Sequence, residues 1–251
     1  MTQRDRRTRP TLIAAALGEE RAALESLASN LVHKALPGLE DGALLVGEID
    51  GYPVALLRCG VGKVASAVAV TSALSLEPRC IISVGSAGAL HAGYRVGDVM
   101  LADSVIQHDF AAAEAGGFRL FGYGSETPST GDPLLYADTK LITRAVATAS
   151  QVVDRLDINL RKGRIATGDW FVADQITRDA IAERSSADLV EMEGAAIALA
   201  ARAHGIPWLV IRSVSDSGDE TAPVNFLEYL PLASKRAAEI VRAVLPVLND
   251  L

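Results

Sequence analysis

The stretch Val190-Glu-Met-Glu-Gly-Ala-Ala-Ile-Ala198 places two carboxylates, Glu191 and Glu193, where an apolar run gives way to a helix-forming sequence. In an extended turn, residues i and i+2 point the same way and i+1 points opposite, so the two acids differ in role only through their surroundings. Two readings stand side by side. The acids settle the positive end of a helix dipole, or they divide acid and base work as paired carboxylates in unlike environments do. Two further acids, Glu20 and Asp216, also follow apolar runs, where an unpaired carboxylate is costly. Glu20 has the chemistry to activate a water, Asp216 to hold a proton for a leaving group, and Glu193 to accept bonds from hydroxyls. Gly85-Ser-Ala-Gly88 reads as a turn that lets backbone approach a ligand closely, because glycine has no Cβ. Phe171 offers a face to a flat ring, and Met192 an adaptable apolar contact.

Other chemistries fit less well. The histidines, at 33, 91, 108 and 204, show no metal-ligand spacing, and neither a metal nor a cofactor is expected. The first strand leads to Leu17-Gly-Glu-Glu20 instead of a dinucleotide fingerprint. Gly60-Val-Gly-Lys63 lacks the full phosphate-loop pattern and reads as a tight strand-to-helix turn. Ser86 is not centred between glycines as a hydrolase nucleophile elbow requires.

The elements that must position these residues alternate. Short apolar strands are predicted at 11–17, 42–48, 54–59, 80–84, 97–105, 164–172 and 208–214, the second and third joined by Asp50-Gly51, a hairpin signal. Helical spacing covers 18–27, 63–76, 138–153, 176–184, the stretch after Gly194, and 226–248. The segment from about Phe110 to Gly131 is weakly patterned and reads as a long loop. This alternation predicts a single α/β domain over residues 11–251, with a central mixed, largely parallel sheet flanked by helices on both sides. Ligands in such folds bind outside the carboxyl ends of the strands. There the sequence gathers Glu20, the 85–88 segment, Asp169 to Phe171, Glu191 with Glu193, and Ser215 with Asp216.

Composition bounds the partners. The 251 residues carry a net charge of -7, and no basic stripe for nucleic acid lies outside the N-terminus. Residues 1–10 are basic and read as a disordered arm. No apolar run approaches the roughly 18 residues a membrane helix needs. Cys59 and Cys80 sit in apolar runs and read as reduced core residues of a cytoplasmic protein.

Taken in order, the landmarks resemble the nucleoside phosphorylase/nucleosidase superfamily over nearly the whole chain, from about Leu12 to Leu248. They are the acidic end of the first strand up to Glu20, Cys59-Gly-Val-Gly-Lys-Val64, Val84-Gly-Ser-Ala-Gly-Ala-Leu90, Gly97-Asp-Val99, Gln107-His-Asp109, Thr167-Gly-Asp-Trp-Phe-Val172, Val190-Glu-Met-Glu193 and Arg212-Ser-Val-Ser-Asp216. The resemblance implies a nucleoside phosphorylase-like three-layer sandwich. It also implies hydrolysis of the N-glycosidic bond of 5'-thio adenine nucleosides, 5'-methylthioadenosine and S-adenosylhomocysteine, without a cofactor. By the same resemblance, Glu20 activates the attacking water, helped by Ser86 and Arg212. Asp216, oriented by Ser215, protonates adenine N7. Glu193 holds the ribose hydroxyls against Met192, and Phe171 stacks on adenine while the backbone of Val172 reads its edge. Ala87, Gly88 and Glu191 belong to the same ligand-binding set. Phosphorylases of the superfamily carry phosphate-binding arginines where this chain has Ser83-Val84 and Ser217-Gly-Asp-Glu220, which favours the hydrolase over a phosphorylase. A third reading, a nucleoside-binding protein without turnover, would be signalled by loss of Glu20 or Asp216, and both are present. A homodimer is implied, with the neighbouring subunit completing the pocket around the 5' substituent. Trp170 departs from the small residue expected beside the stacking phenylalanine.

Overall fold

The computed structural model describes residues 9–115, 117–123 and 131–251. The most apolar runs form its central strands. The first, β1 (Thr11–Ala15), is buried along its whole length and lies parallel to both β4 (Tyr52–Arg58) and β5 (Cys80–Ala89). The strand β3 (Leu44–Ile49) turns into β4 through Asp50 and Gly51, both at positive φ; this is the tight two-residue turn whose twist matches an antiparallel hairpin. An edge strand, β2 (Ala28–His33), is added beyond β3. On the other side of β5 runs β12 (Trp208–Asp216), parallel to it, followed by β6 (Val99–Gln107), β10 (Leu160–Thr167) and β11 (Leu189–Glu191). The strand β9 (Leu134–Tyr136) pairs with β6, and β7 (Ala111–Glu114) pairs with β8 (Gly117–Leu120) as a separate ribbon.

The arrangement of this sheet creates the site. The strands β6, β10 and β11 are mutually parallel, but β6 runs antiparallel to β12. The sheet therefore contains two parallel halves of opposite direction. It then curls until β11 meets β5, with Leu189 opposite Ala89 and Val190 opposite Gly88. The carboxyl ends of both halves converge at that point, where a doubly wound sheet opens its ligand crevice.

The helices α1 (Gly18–Glu25), α2 (Lys63–Ala73), α3 (Thr139–Ala149), α4 (Val153–Leu156), α5 (Gln175–Ser185), α6 (Gly194–Ala203) and α7 (Ala222–Asn249) cover both faces. One layer holds α2 against α6; the other holds α7, packed on β5 and β12, with α1 and α3 beside it. Asp138 and Asp174 start α3 and α5 by accepting from the amides of Leu141 and Thr177, each at 2.8 Å, which satisfies donors that a helix start leaves free. The first turn of α6 is built of Gly194, Ala195 and Ala196, all buried. Small residues there let the helix approach the sheet closely.

Several expectations are corrected. Gly85 to Gly88 is not a turn: β5 continues through it, paired with β12 and then β11. Its glycines serve side chains, not chain reversal. A Cβ on Gly85 would lie 2.6 Å from a carboxylate oxygen of Glu20, and one on Gly88 would lie 2.8 Å from Asp216. The sheet is evenly mixed instead of largely parallel, because β6 reverses against β12 and β2, β3 and β9 all join antiparallel. The long loop expected from Phe110 to Gly131 contains the β7–β8 ribbon; its residues 116 and 124–130 lie outside the described residues. The edge strand β2 and the short β9 carry no clear alternation, the first because it is mostly exposed. Of the arm expected at 1–10, residues 1–8 lie outside the described residues, while the carbonyls of Arg9 and Pro10 both accept bonds from Arg79.

Candidate active site

A cavity of about 290 Å³ opens where the strand ends converge. Each strand delivers one part of its wall. Glu20, in the first turn of α1, is buried beside β5. Its Oε2 accepts from the amides of Ala16 and Leu17 at 3.1 Å each. Its Oε1 accepts from the Ser86 amide at 2.9 Å and the Ser86 hydroxyl at 3.0 Å. Four donors thus hold one carboxylate in a single orientation, with Gly85 providing the space.

Asp216 closes β12. Its Oδ2 accepts from the Ser215 hydroxyl at 2.8 Å and its Oδ1 from the Gly218 amide at 2.9 Å. Burial outweighs both bonds and raises the proton affinity of Asp216 above the usual carboxylate range. The carboxylates of Glu20 and Asp216 lie over Gly85 and Gly88 of β5, three residues apart, or on the order of 10 Å along an extended strand.

The two acids that follow β11 separate completely in role. Glu191 takes the helix-dipole role. It accepts from the amides of Glu193 at 3.0 Å and Gly194 at 2.9 and 2.8 Å, from the Thr167 hydroxyl, and from the Arg212 guanidinium. Burial opposes its ionisation, but Arg212 and these donors prevail and hold it below the usual range. Glu193 faces the cavity and keeps only the Gly62 amide at 2.9 Å and a 3.4 Å contact with Arg212. Burial, then the neighbouring Glu191 charge, raises it to about 8. Identical side chains two residues apart are thereby set on opposite sides of neutrality.

Glu20, Ser86, Ala87, Gly88, Phe171, Val172, Glu191, Met192, Glu193, Ser215 and Asp216 all line this one cavity. Two of the expected ligand-side groups are placed differently. Both oxygens of Glu191 are taken up within the protein, so it reaches the wall as an anchor and not as a free acceptor. Arg212 lies behind the wall, 2 % exposed, paired with Glu191 and donating to the Ser83 hydroxyl at 3.0 Å. Its Nη1 has no partner among the described residues. Among the described lining residues none is Lys, Arg or His. The floor therefore presents acids to the cavity, and the one guanidinium that touches them, Arg212, does so from behind.

The apolar wall is aromatic. Phe171 is half-exposed and meets Phe226 edge to face, the ring centroids 5.5 Å apart. Trp170 lines the same mouth with its ring against His108. Val61 and Phe226 join the lining without having been singled out from sequence. Phe226 begins the apolar pattern of α7 and carries no signal that separates it from core. Thr167 and Ser83, which hold Glu191 and Arg212, are likewise visible only once the strands are aligned. Asp169 points away from the cavity, toward Lys63.

The model of the phosphorylase superfamily matches residues 10–246. A 5'-methylthioadenosine/S-adenosylhomocysteine nucleosidase of Tolumonas auensis is 35% identical over 239 residues, 94% of this chain and 98% of its own. The nucleosidase of Haemophilus influenzae is 32% identical over 232 residues, 91% of this chain and 95% of its own. Among solved structures, that of the S. pneumoniae nucleosidase with the transition-state inhibitor MT-ImmA superposes with a TM-score of 0.80 at 33% identity, covering 94% of this chain and 98% of that one. The Neisseria meningitidis nucleosidase with methylthio-immucillin-A gives 0.81 at 28% identity, covering 95% and 99%.

Proposed function

The chain belongs to the phosphorylase superfamily, and from that membership and the cavity we propose how it cleaves its substrate. It is an N-glycosidic hydrolase that converts 5'-methylthioadenosine and S-adenosylhomocysteine to adenine and the 5'-thioribose product. Glu20 takes a proton from water as the water oxygen bonds to C1'. The C1'–N9 bond breaks through an oxocarbenium-like state, and Asp216 gives its proton to N7 so that adenine leaves neutral. The two protons balance: one is held by Glu20 at the end of the step, and one has left Asp216. Solvent exchange resets both. Ser215 orients Asp216, and Ser86 orients Glu20. Glu193 receives the ribose hydroxyls with Met192 against the sugar. Phe171 stacks on the base, with Val172, Ala87 and Gly88 around it. Arg212 acts through Glu191 and Glu193, which it contacts from behind the wall.

The observation that carries hydrolysis over phosphorolysis is the charge of the cavity. Glu20, Glu191, Glu193 and Asp216 all line it, and no cation does among the described lining residues. Asp216 and Glu193 are held toward their protonated forms and Glu191 is paired with Arg212, so a phosphate dianion entering there meets the Glu20 carboxylate with no lining cation to receive it, whereas neutral water needs none. Developing positive charge on the sugar is stabilised by the same field.

The proposed homodimer is supported by exposed apolar side chains adjoining the mouth in sequence, Val64, Ile176 and Leu227, each at least 73 % exposed. A cytoplasmic location is supported by two buried free thiols, Cys59 and Cys80, and a place in methionine salvage by the reaction itself, which acts on 5'-methylthioadenosine. Among the described residues no helix is long and apolar enough to cross a membrane.

The test is release of adenine from 5'-methylthioadenosine, followed by chromatography, in phosphate-free buffer and again with phosphate added. Adenine and free thioribose at the same rate in both are expected. Strict dependence on phosphate would overturn the assignment of Glu20.

A further inference from the structure

The Gly60-Val-Gly-Lys63 turn is a sequence motif that the mechanism above leaves without a task. A lysine after a glycine-rich turn at a helix start suggests an anion cradle, but the structure assigns its ammonium elsewhere. Lys63 Nζ lies 2.5 Å from Asp109 Oδ1 and 3.7 Å from Asp169 Oδ2. The Lys63 amide donates to Asp169 Oδ1 at 2.8 Å, and Asp109 Oδ2 accepts from the Asp169 amide at 2.9 Å. One ammonium and two carboxylates thus tie together the β4–α2 turn, the end of β6 and the exit of β10. Gly62 is part of the same fit: it sits at φ +91°, and a Cβ there would lie 3.0 Å from Asp169.

The consequence reaches the cavity through the residue before Lys63. The Gly62 amide, one of the donors left free at the start of α2, donates to Glu193 Oε1 at 2.9 Å. Asp169 itself precedes Trp170, Phe171 and Val172, which line the cavity. We propose that Lys63 is a positioning residue: its clamp on Asp109 and Asp169 holds the Gly62 amide against the sugar-binding Glu193 and fixes the start of the aromatic wall. Lys63 touches no substrate in this reading, which rests on the function proposed above.

Glu193 supplies the readout. It is faced by Glu191, Arg212, Glu20 and the Cys59 thiol as well as by the Gly62 amide, and it titrates near 8. The amide favours the charged form, so its loss moves that titration upward. Lys63 is faced by Asp109 and Asp169, with His108 adjacent.

The experiment measures adenine release from 5'-methylthioadenosine by wild type, Lys63→Met, Lys63→Arg and the double variant Lys63→Met/Asp109→Asn. Losing one hydrogen bond to a charged group corresponds to a rise in KM of about tenfold, with kcat changed much less. Lys63→Met is expected to show that split. The pH at which KM inflects is expected to rise, and Lys63→Arg to restore most of the affinity. The double variant removes the unpaired buried Asp109 charge, so it recovers thermal stability but keeps the raised KM. That separates positioning from mere folding even where the single variant is unstable. A folded Lys63→Met or double variant with wild-type KM and an unmoved inflection would overturn the proposal. A wild-type protein that releases no adenine would overturn the underlying assignment instead.

Discussion

Asp216→Asn isolates proton donation from everything else that Asp216 does. The side chains are nearly isosteric. The asparagine carbonyl can keep the Gly218 amide that Asp216 Oδ1 accepts at 2.9 Å. Its amide can donate to Ser215 Oγ, whose own proton then turns to the Ala87 carbonyl, already 3.4 Å away. Each bond is retained or exchanged, so folding stability should change by less than about 1 kcal/mol. The sign of the small pH-dependent part follows from the raised proton affinity of Asp216. A group raised in the folded state contributes stability that is full below its unfolded pKa and is lost as pH rises through its folded value. The variant lacks that loss and should equal or exceed wild type in stability at neutral pH. Catalysis should respond very differently. An amide still offers N7 a hydrogen bond but cannot transfer a proton, and general acid catalysis contributes about 10²–10⁴ in rate. The expected fall in kcat is therefore about 10²–10⁴-fold, or ~2.7–5.5 kcal/mol on the barrier, with KM little changed. The assay is adenine release under saturating substrate, alongside calorimetric Tm and binding of a ground-state substrate analogue. A folded variant that turns over within tenfold of wild type would refute the assignment of Asp216 as the acid. A loss of affinity for a ground-state substrate analogue as large as the loss of kcat would show instead that the residue acts in binding.

Two further perturbations test the charge arrangement behind the wall. Arg212→Met keeps the bulk but strands Glu191 and Glu193, both buried, without their counter-charge. Breaking a buried pair in this way should cost about 3–5 kcal/mol, read as a lower urea midpoint with an unchanged m-value. Glu193→Gln tests the titration near 8. Because that value is raised, wild type should lose stability between about pH 4.5 and 8, at up to ~1.4 kcal/mol per pH unit for one proton. The variant should flatten this slope and weaken nucleoside affinity; parallel stability–pH curves for the two proteins would contradict the reading.

The candidate site was legible in sequence to the extent that chemistry is carried by residue type at strand ends. Glu20, Ser215 and Asp216 follow apolar runs, and an acid in such a place needs a partner or a function. The same logic misread Gly85 to Gly88 as a turn, since glycine signals a special backbone, whereas here it makes room for the carboxylates of Glu20 and Asp216. The edge strand β2 escaped because an exposed strand need not alternate. Phe226 escaped because a cavity aromatic and a core aromatic obey the same helical pattern.

The sequence by itself determined the alternation of elements, the Asp50-Gly51 hairpin and the order of polar strand ends, all of which follow from local backbone preference and hydrophobic period. Only the tertiary structure decided what Glu191 and Glu193 each do. Their spacing is the same under either reading, and their partners lie far away in the chain: Thr167 and Arg212 for one, Gly62 for the other. The curl that joins β11 to β5 is equally non-local. It brings Arg212 tightly behind one carboxylate and leaves the other on the cavity wall with only a 3.4 Å contact to that guanidinium. Burial and charge then separate their proton affinities, because electrostatic energy depends on neighbours in space and not on neighbours in sequence.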